Sequence, residues 1–237
     1  MKGWKCKIGL LVPAINIVAE PTYYQYAPKH VTIHAERLPR EERNSTIEVH
    51  MKMLQHVVGA AQTLAQCEPD VLILADTTAS FLQGKGGDLK IAREMEESTG
   101  IRSSTASTTV IEALNALSVN KVSIITPYPS YTNEREVVFF NEYGFKVDQL
   151  QSMEILDSLN MGKVYPDDIY RFARDNYDRE SDAIFISCTN FRGTEVIKDL
   201  EEDTGLPVVT SNQACLWWAL RSVGMGVDIG LGKLFQK

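Results

Sequence analysis

The stretch DVLILADTTASF at 70–81 has a counterpart, DAIFISCTNFRG, at 182–193. Each opens on an aspartate, runs through a short row of apolar residues and ends in a polar cluster. An unbroken apolar run of this length reads as a strand buried on both faces, the kind that fills the middle of a parallel sheet. Superposing the two at their 112-residue separation, 70 on 182, sets Asp76 on Cys188, Thr77 on Thr189 and Thr78 on Asn190.

Working outward, KIGLLVP at 7–13 matches KVSIITP at 121–127, and EMEESTGI at 94–101 matches KDLEEDTGL at 198–206. Three matched blocks in one order indicate an internal duplication, and hence an α/β fold of two similar lobes. The first lobe spans 1–118 and the second 119–219, with the glycine-rich 220–237 segment expected to pack back on the first lobe. Within the first lobe, Val31 to Leu38 reads as a strand. Ser45 with Glu48 reads as a capping box opening one helical stripe through Ile47, Met51, Leu54, Ala61 and Leu64. Further signals are a helix from Asp88 to Gly100, a short strand at 101–104 and a helix beginning near Thr109 with Glu112 three residues on.

Composition bounds the function classes. The 237 residues are 44% hydrophobic and 23% charged, an ordinary globular balance rather than a disordered one. The net charge of -7 and the lack of a dense basic run argue against nucleic acid as a partner. No apolar stretch approaches the roughly 20 residues of a membrane span, and MKGWKCKIGLLVPA reads as the entry to a first strand rather than a secretion signal. The sequon at Asn44 therefore carries little weight. Cys6, Cys67, Cys188 and Cys215 form no CxxC pair, which fits free thiols and a cytoplasmic location. His30, His34, His50 and His56 make no metal triad.

Strand ends carry the chemistry of parallel sheets, so the superposed Asp76 and Cys188 are candidates for the catalytic pair, one from each lobe. A thiol and a carboxyl whose surroundings shift their pKa values can give and take a proton on a small molecule held between them. The flanking Thr77, Thr78, Thr189 and Asn190 offer hydroxyls and N–H groups for a carboxylate or enolate oxygen. The competing structural readings are a buried small cysteine and an aspartate that caps a turn. Arg37, Arg40, Arg43, Arg102, Arg135 and Arg192 are the candidates for charge balance in a carboxylate site, and Arg192 is nearest Cys188 in sequence. The QGKGG stretch at 83–87 lacks Walker spacing and reads as a loop over the cleft. Tyr23, Tyr24 and Tyr26, like Trp217 and Trp218, fit core packing or the cleft wall.

At these residues the chain resembles the aspartate/glutamate racemase superfamily, in the branch of maleate cis-trans isomerase and arylmalonate decarboxylase. The blocks are VPAINIVAEP at 12–21, ADTTASFLQG at 75–84, STGI at 98–101, ITPYPSYTNER at 125–135, ISCTNFRG at 186–193 and VVTSNQACLW at 208–217. The resemblance implies two pseudo-symmetric Rossmann-like lobes with an interlobe active site, no metal or organic cofactor, a small carboxylate substrate and a homodimer. It makes Cys188 the proton carrier of the second lobe, Thr77 and Thr78 oxyanion donors, and Asn16, Tyr128 and Asn160 pocket residues. It also marks a departure, since Asp76 stands where the racemases and isomerases carry a cysteine and the decarboxylases a glycine. The expected activity is an isomerase or racemase reaction through an enolate. A decarboxylase-like lyase and a non-catalytic acid-binding protein are the alternatives.

Overall fold

The computed structural model describes residues 5–237, so the basic start of the chain, residues 1–4, lies outside the described residues. The first half runs β1 (Cys6–Pro13), α1 (Ala19–Tyr26), β2 (Val31–Leu38), α2 (Ile47–Leu54), α3 (Val57–Ala65), β3 (Val71–Leu74), α4 (Thr77–Phe81), α5 (Gly87–Thr99), β4 (Ser103–Thr105) and α6 (Ala106–Ala116). The second runs β5 (Lys121–Thr126), α7 (Ser130–Glu142), β6 (Lys146–Ser152), α8 (Ser158–Met161), α9 (Pro166–Asn176), β7 (Ala183–Ile186), α10 (Ile197–Thr204), β8 (Val208–Thr210) and α11 (Ser211–Ser222).

Each half forms one four-stranded sheet, ordered β2-β1-β3-β4 and β6-β5-β7-β8, with every pairing parallel. The duplication read from the sequence is therefore present in the topology. It extends to a shared device: the aspartates that open the two quoted runs each cap the neighbouring strand. Asp70 accepts from the Lys7 N–H at 2.7 Å, and Asp182 from the Lys121 N–H at 2.8 Å. β3 and β7 are buried at every position, as continuous apolar runs require. The halves also pack on each other through α6 and α11, where the Thr109 hydroxyl meets the Cys215 thiol at 3.3 Å.

Local expectations differ in four places. The long helical stripe is broken into α2 and α3, and α2 is capped by Thr46, whose hydroxyl accepts from the Val49 N–H at 3.3 Å. Ser45 is not the cap; it turns inward to His50, 3.0 Å from Nε2. The helix is also rotated from the expected face, burying Val49, His50 and Met53 while Ile47 and Met51 are exposed. Further on, α6 starts at Ala106 under a Thr105 cap, earlier than the expected Thr109.

The C-terminal segment is held on the second half rather than the first. The Gln213 side chain donates to the Leu231 carbonyl at 2.7 Å, and the Lys233 N–H donates to the Glu201 carboxylate of α10. Trp217 and Trp218 are buried along α11. Among the described residues, no helix is long and apolar enough to cross a membrane.

Candidate functional site

The carboxyl ends of β1, β2 and β3 meet those of β5 and β7 around a small cavity of about 30 Å³ that opens to solvent. Of the residues singled out in the sequence, Asn16, Asp76, Thr78, Tyr128, Cys188, Thr189 and Asn190 line it. Thr77 and Asn160 do not. The Thr77 hydroxyl is buried behind the wall, donating to Ser211 Oγ at 2.9 Å. Asn160 is exposed on α8 and accepts from Lys163 Nζ at 3.3 Å. Arg192 also lies off this cavity, paired with Glu195 three residues along the chain. Lys85 of the glycine-rich loop reaches the end of α7, with its N–H on Glu142, rather than the cavity.

Cys188 lies two residues past the end of β7 and takes φ of 92°, a left-handed conformation that costs a non-glycine residue energy and is characteristic of functional turns. Its N–H donates to Ser211 Oγ at 3.1 Å. Burial pushes the thiol up to about 12, with the charges of Asp76 and Glu136 adding to the rise and the Tyr128 hydroxyl and Asn190 N–H drawing it back. At neutral pH the sulfur therefore carries its proton.

Asp76 occupies the matching place after β3 and serves as the N-cap of α4, its Oδ1 accepting from the Ala79 N–H at 3.0 Å. Its Oδ2 lies 3.3 Å from His50 Nδ1, close enough for ionic attraction but not aligned as a hydrogen bond. Burial alone would raise this carboxyl. His50, the Ala79 N–H and Arg40 outweigh it and hold Asp76 below the usual carboxylate range. The raised pKa that a general acid at this position would need is absent. The pair thus faces the cavity in opposite states, a protonated thiol against a carboxylate.

The remaining walls are fixed by hydrogen bonds between the halves. Asn16 gives its amide oxygen to the Val18 and Ala19 N–H groups and its nitrogen to Thr189 Oγ1 at 3.1 Å, so it acts mainly as a joint. Asn190 accepts from the Ile17 N–H at 2.9 Å and donates to the Ser158 carbonyl at 2.7 Å. Tyr128 is buried beside Thr78, Ser187 and Cys188, and burial first, then Cys188 and Glu136, keep it a neutral phenol able to donate.

Arg40, one of the six candidate arginines, lines the cavity, while sequence reasoning missed Ser45, His50 and Ser158, which line it too. Arg40 lies two residues beyond the end of β2, so the strand-end rule applied to that strand singles it out from the other five. His50 would have appeared as the polar residue of the inner face had α2 been given its true rotation. Among the described residues, no group of three or more His, Cys, Asp or Glu side chains is placed to hold a metal.

Two parallel α/β halves with facing strand ends are what the resemblance to the aspartate/glutamate racemase superfamily implied, and comparison with known proteins bears that superfamily out. Within it, the sequence model of the Arylmalonate decarboxylase family matches residues 8–235, and the chain belongs to that family. It is 30% identical to an arylmalonate decarboxylase of Bordetella bronchiseptica over 196 residues, 81% of this chain and 82% of the relative. A maleate isomerase of Nocardia farcinica is 25% identical over 246 residues, covering 98% and 96%. Among solved structures, a liganded arylmalonate decarboxylase double mutant superposes with TM-score 0.89 at 28% identity over 97% of this chain and 98% of that one. A Nocardia farcinica maleate cis-trans isomerase mutant carrying a covalently bound succinylcysteine intermediate shares the fold with TM-score 0.92 at 22% identity, covering 98% and 99%. The chain is an enzyme of this isomerase and lyase type, acting on a small carboxylic acid.

Proposed function

We propose that the chain is a carbon–carbon lyase that decarboxylates a small malonate-type acid in the interlobe cavity, with Cys188 protonating the enolate. The observation that carries this reading is the asymmetry of the pair: a buried thiol on one strand end shares the cavity with a helix-capping carboxylate, not a second thiol, on the other. Cys188 keeps its proton at neutral pH, as a donor to a carbanion must. Asp76 is stabilised as an anion by His50, a helix N–H and Arg40, which makes it a weak base toward a C–H bond. A site with a ready acid and a weak base suits an enolate formed by breaking a C–C bond.

In this reaction the bond between the α-carbon and one carboxylate breaks and carbon dioxide leaves. The electron pair passes to the α-carbon and the retained carboxylate as an enolate, whose oxygens accept from the Thr78 and Tyr128 hydroxyls. Donors of this kind contribute about 3 kcal/mol each when aimed at developing charge. The Cys188 proton goes to the α-carbon, and the thiolate regains one from water. The Arg40 guanidinium offsets the Asp76 charge, so a dianionic substrate does not meet an isolated carboxylate.

Turnover of malonate-type acids in deuterium oxide tests the reading. One deuterium at the α-carbon for each carbon dioxide released is expected. Deuterium exchange without carbon dioxide would instead assign Asp76 as a base and the chemistry to isomerisation or racemisation. Tight binding of small acids with neither outcome would leave a binding protein. Assembly as a homodimer belongs to the same proposal, and light scattering that gives a monomer would reject it.

A further inference from the structure

Four lining residues keep polar atoms that the chemistry above does not use. Arg40 Nε, His50 Nδ1, Asp76 Oδ2 and Ser158 Oγ are buried with no hydrogen-bond partner within the chain, four of the ten such atoms in the described residues. His50, Asp76 and Ser158 are only 3%, 4% and 5% exposed. Leaving a buried donor or acceptor unpaired is costly; His50 Nδ1 and Asp76 Oδ2 have only each other, 3.3 Å apart and poorly aligned, and Arg40 Nε and Ser158 Oγ have no partner, which marks a place built for a polar group.

The wall is held still. Arg40 anchors its Nη2 on the Asn44 carbonyl at 3.0 Å, and Ser45 fixes the His50 ring through Nε2. The 43–45 loop is tied to the other half by Ser45 N–H to the Leu156 carbonyl at 3.0 Å and Ser158 N–H to the Arg43 carbonyl at 2.9 Å. The Tyr131 hydroxyl adds a bond to the Ser45 carbonyl at 2.8 Å. What faces the cavity is therefore fixed in position before a ligand arrives.

The chemistry of the four atoms narrows the ligand. Arg40 only donates, and an ionised Asp76 only accepts. A second carboxylate gains at Arg40 and is repelled at Asp76; an ammonium group meets the reverse. An aryl or alkyl group leaves Arg40 Nε and Ser158 Oγ unpaired and His50 Nδ1 and Asp76 Oδ2 with only their misaligned 3.3 Å contact, the situation in which a polar site discriminates most strongly. A neutral group that accepts from Arg40 and donates to Asp76 satisfies both.

We propose that Arg40, His50, Asp76 and Ser158 form a subsite for a neutral substituent that both donates and accepts hydrogen bonds, a hydroxyl or carboxamide borne next to the reacting carbon. The substrate is then a small hydroxylated or amidated malonate-type acid rather than an aryl one. The malonate part of this statement rests on the decarboxylase reading; the subsite does not.

Binding of monoacids, which carry no carboxylate to lose, isolates the subsite. Calorimetry should show 3-hydroxypropanoate binding at least tenfold tighter than butanoate, in which a methyl replaces the hydroxyl, and tighter than phenylacetate or succinate. Arg40→Met and Ser158→Ala, each checked for an unchanged melting temperature, should shrink that preference. Butanoate or phenylacetate binding as tightly as 3-hydroxypropanoate overturns the subsite, and tighter succinate overturns its neutral character. Hydroxymethylmalonate should lose carbon dioxide faster than methylmalonate or phenylmalonate. If no malonate reacts while the monoacid preference holds, the decarboxylase reading fails and the subsite stands.

Discussion

The Thr189 hydroxyl donates to the Ala75 carbonyl at 2.8 Å. The residue after Cys188 is thereby fastened to the residue before Asp76, and the two strand ends are set against each other by one buried bond. Asn16 donates to the same Thr189 oxygen, so β1, β3 and β7 converge on a single hydroxyl.

Thr189→Val keeps the shape of the side chain and withdraws both bonds. The expected cost is about 1–3 kcal/mol, read as a lower urea midpoint at unchanged m-value. Because the acid and the anion lose their common reference, kcat should fall more than KM changes. A variant with wild-type stability and kcat would show that this bond does not set the geometry.

Cys188→Ala should abolish turnover while the chain still folds. Cys188→Gly should also be inactive yet more stable than Cys188→Ala by about 1 kcal/mol, because glycine accepts φ of 92° without the steric penalty that alanine retains. Equal unfolding free energies for the two variants would show that the turn is not strained.

Much of the frame was legible because it depends on local pattern. DVLILA and DAIFIS announce two central strands, and their leading aspartates perform the same capping task in both sheets. The positions of Asp76 and Cys188 followed from that repeat. What escaped depends on packing between distant segments. Neither Ser45 nor Thr46 signals which of them caps α2; the rotation of the helix decides, and it turns His50 toward Asp76. Which of the six candidate arginines enters the cavity also escaped: it is Arg40, whose loop is stitched to 156–158, a contact no sequence period reports. Asn160 follows a loop whose direction is set by Asp157 capping α8, which leaves the amide in solvent.

Asp76→Asn separates positioning from base catalysis. The folded carboxyl lies below its usual range, so its contribution to stability is present above the unfolded pKa of about 4 and is lost as pH falls through the folded value. The variant should be less stable than wild type at pH 7, with the gap narrowing toward pH 3. Decarboxylation should persist at a reduced rate because Cys188 retains its proton. Loss of a general base costs about a hundredfold or more; a fall of that size, together with loss of α-proton exchange, would restore Asp76 to the role of base.

Glu136 supplies the opposite dependence. It is fully buried on α7, accepts from Ser187 Oγ at 2.5 Å through Oε1 and has no partner within the chain for Oε2. Burial pushes its carboxyl up to about 8, with Ser187 drawing it back only in part. A folded pKa above the unfolded one means that the native state holds the proton more tightly. The associated stability is complete below about pH 4.5 and declines as pH rises through 8. Over that window the loss is on the order of a few kcal/mol. Glu136→Gln keeps an acceptor for Ser187 and removes the titration. Urea unfolding from pH 5 to 9 should therefore show wild-type stability falling across the window and the variant's staying flatter, with the variant the more stable of the two at pH 9. Parallel curves would mean that Glu136 ionises without cost in the folded protein, and the buried carboxyl behind Cys188 would then be an anion at neutral pH.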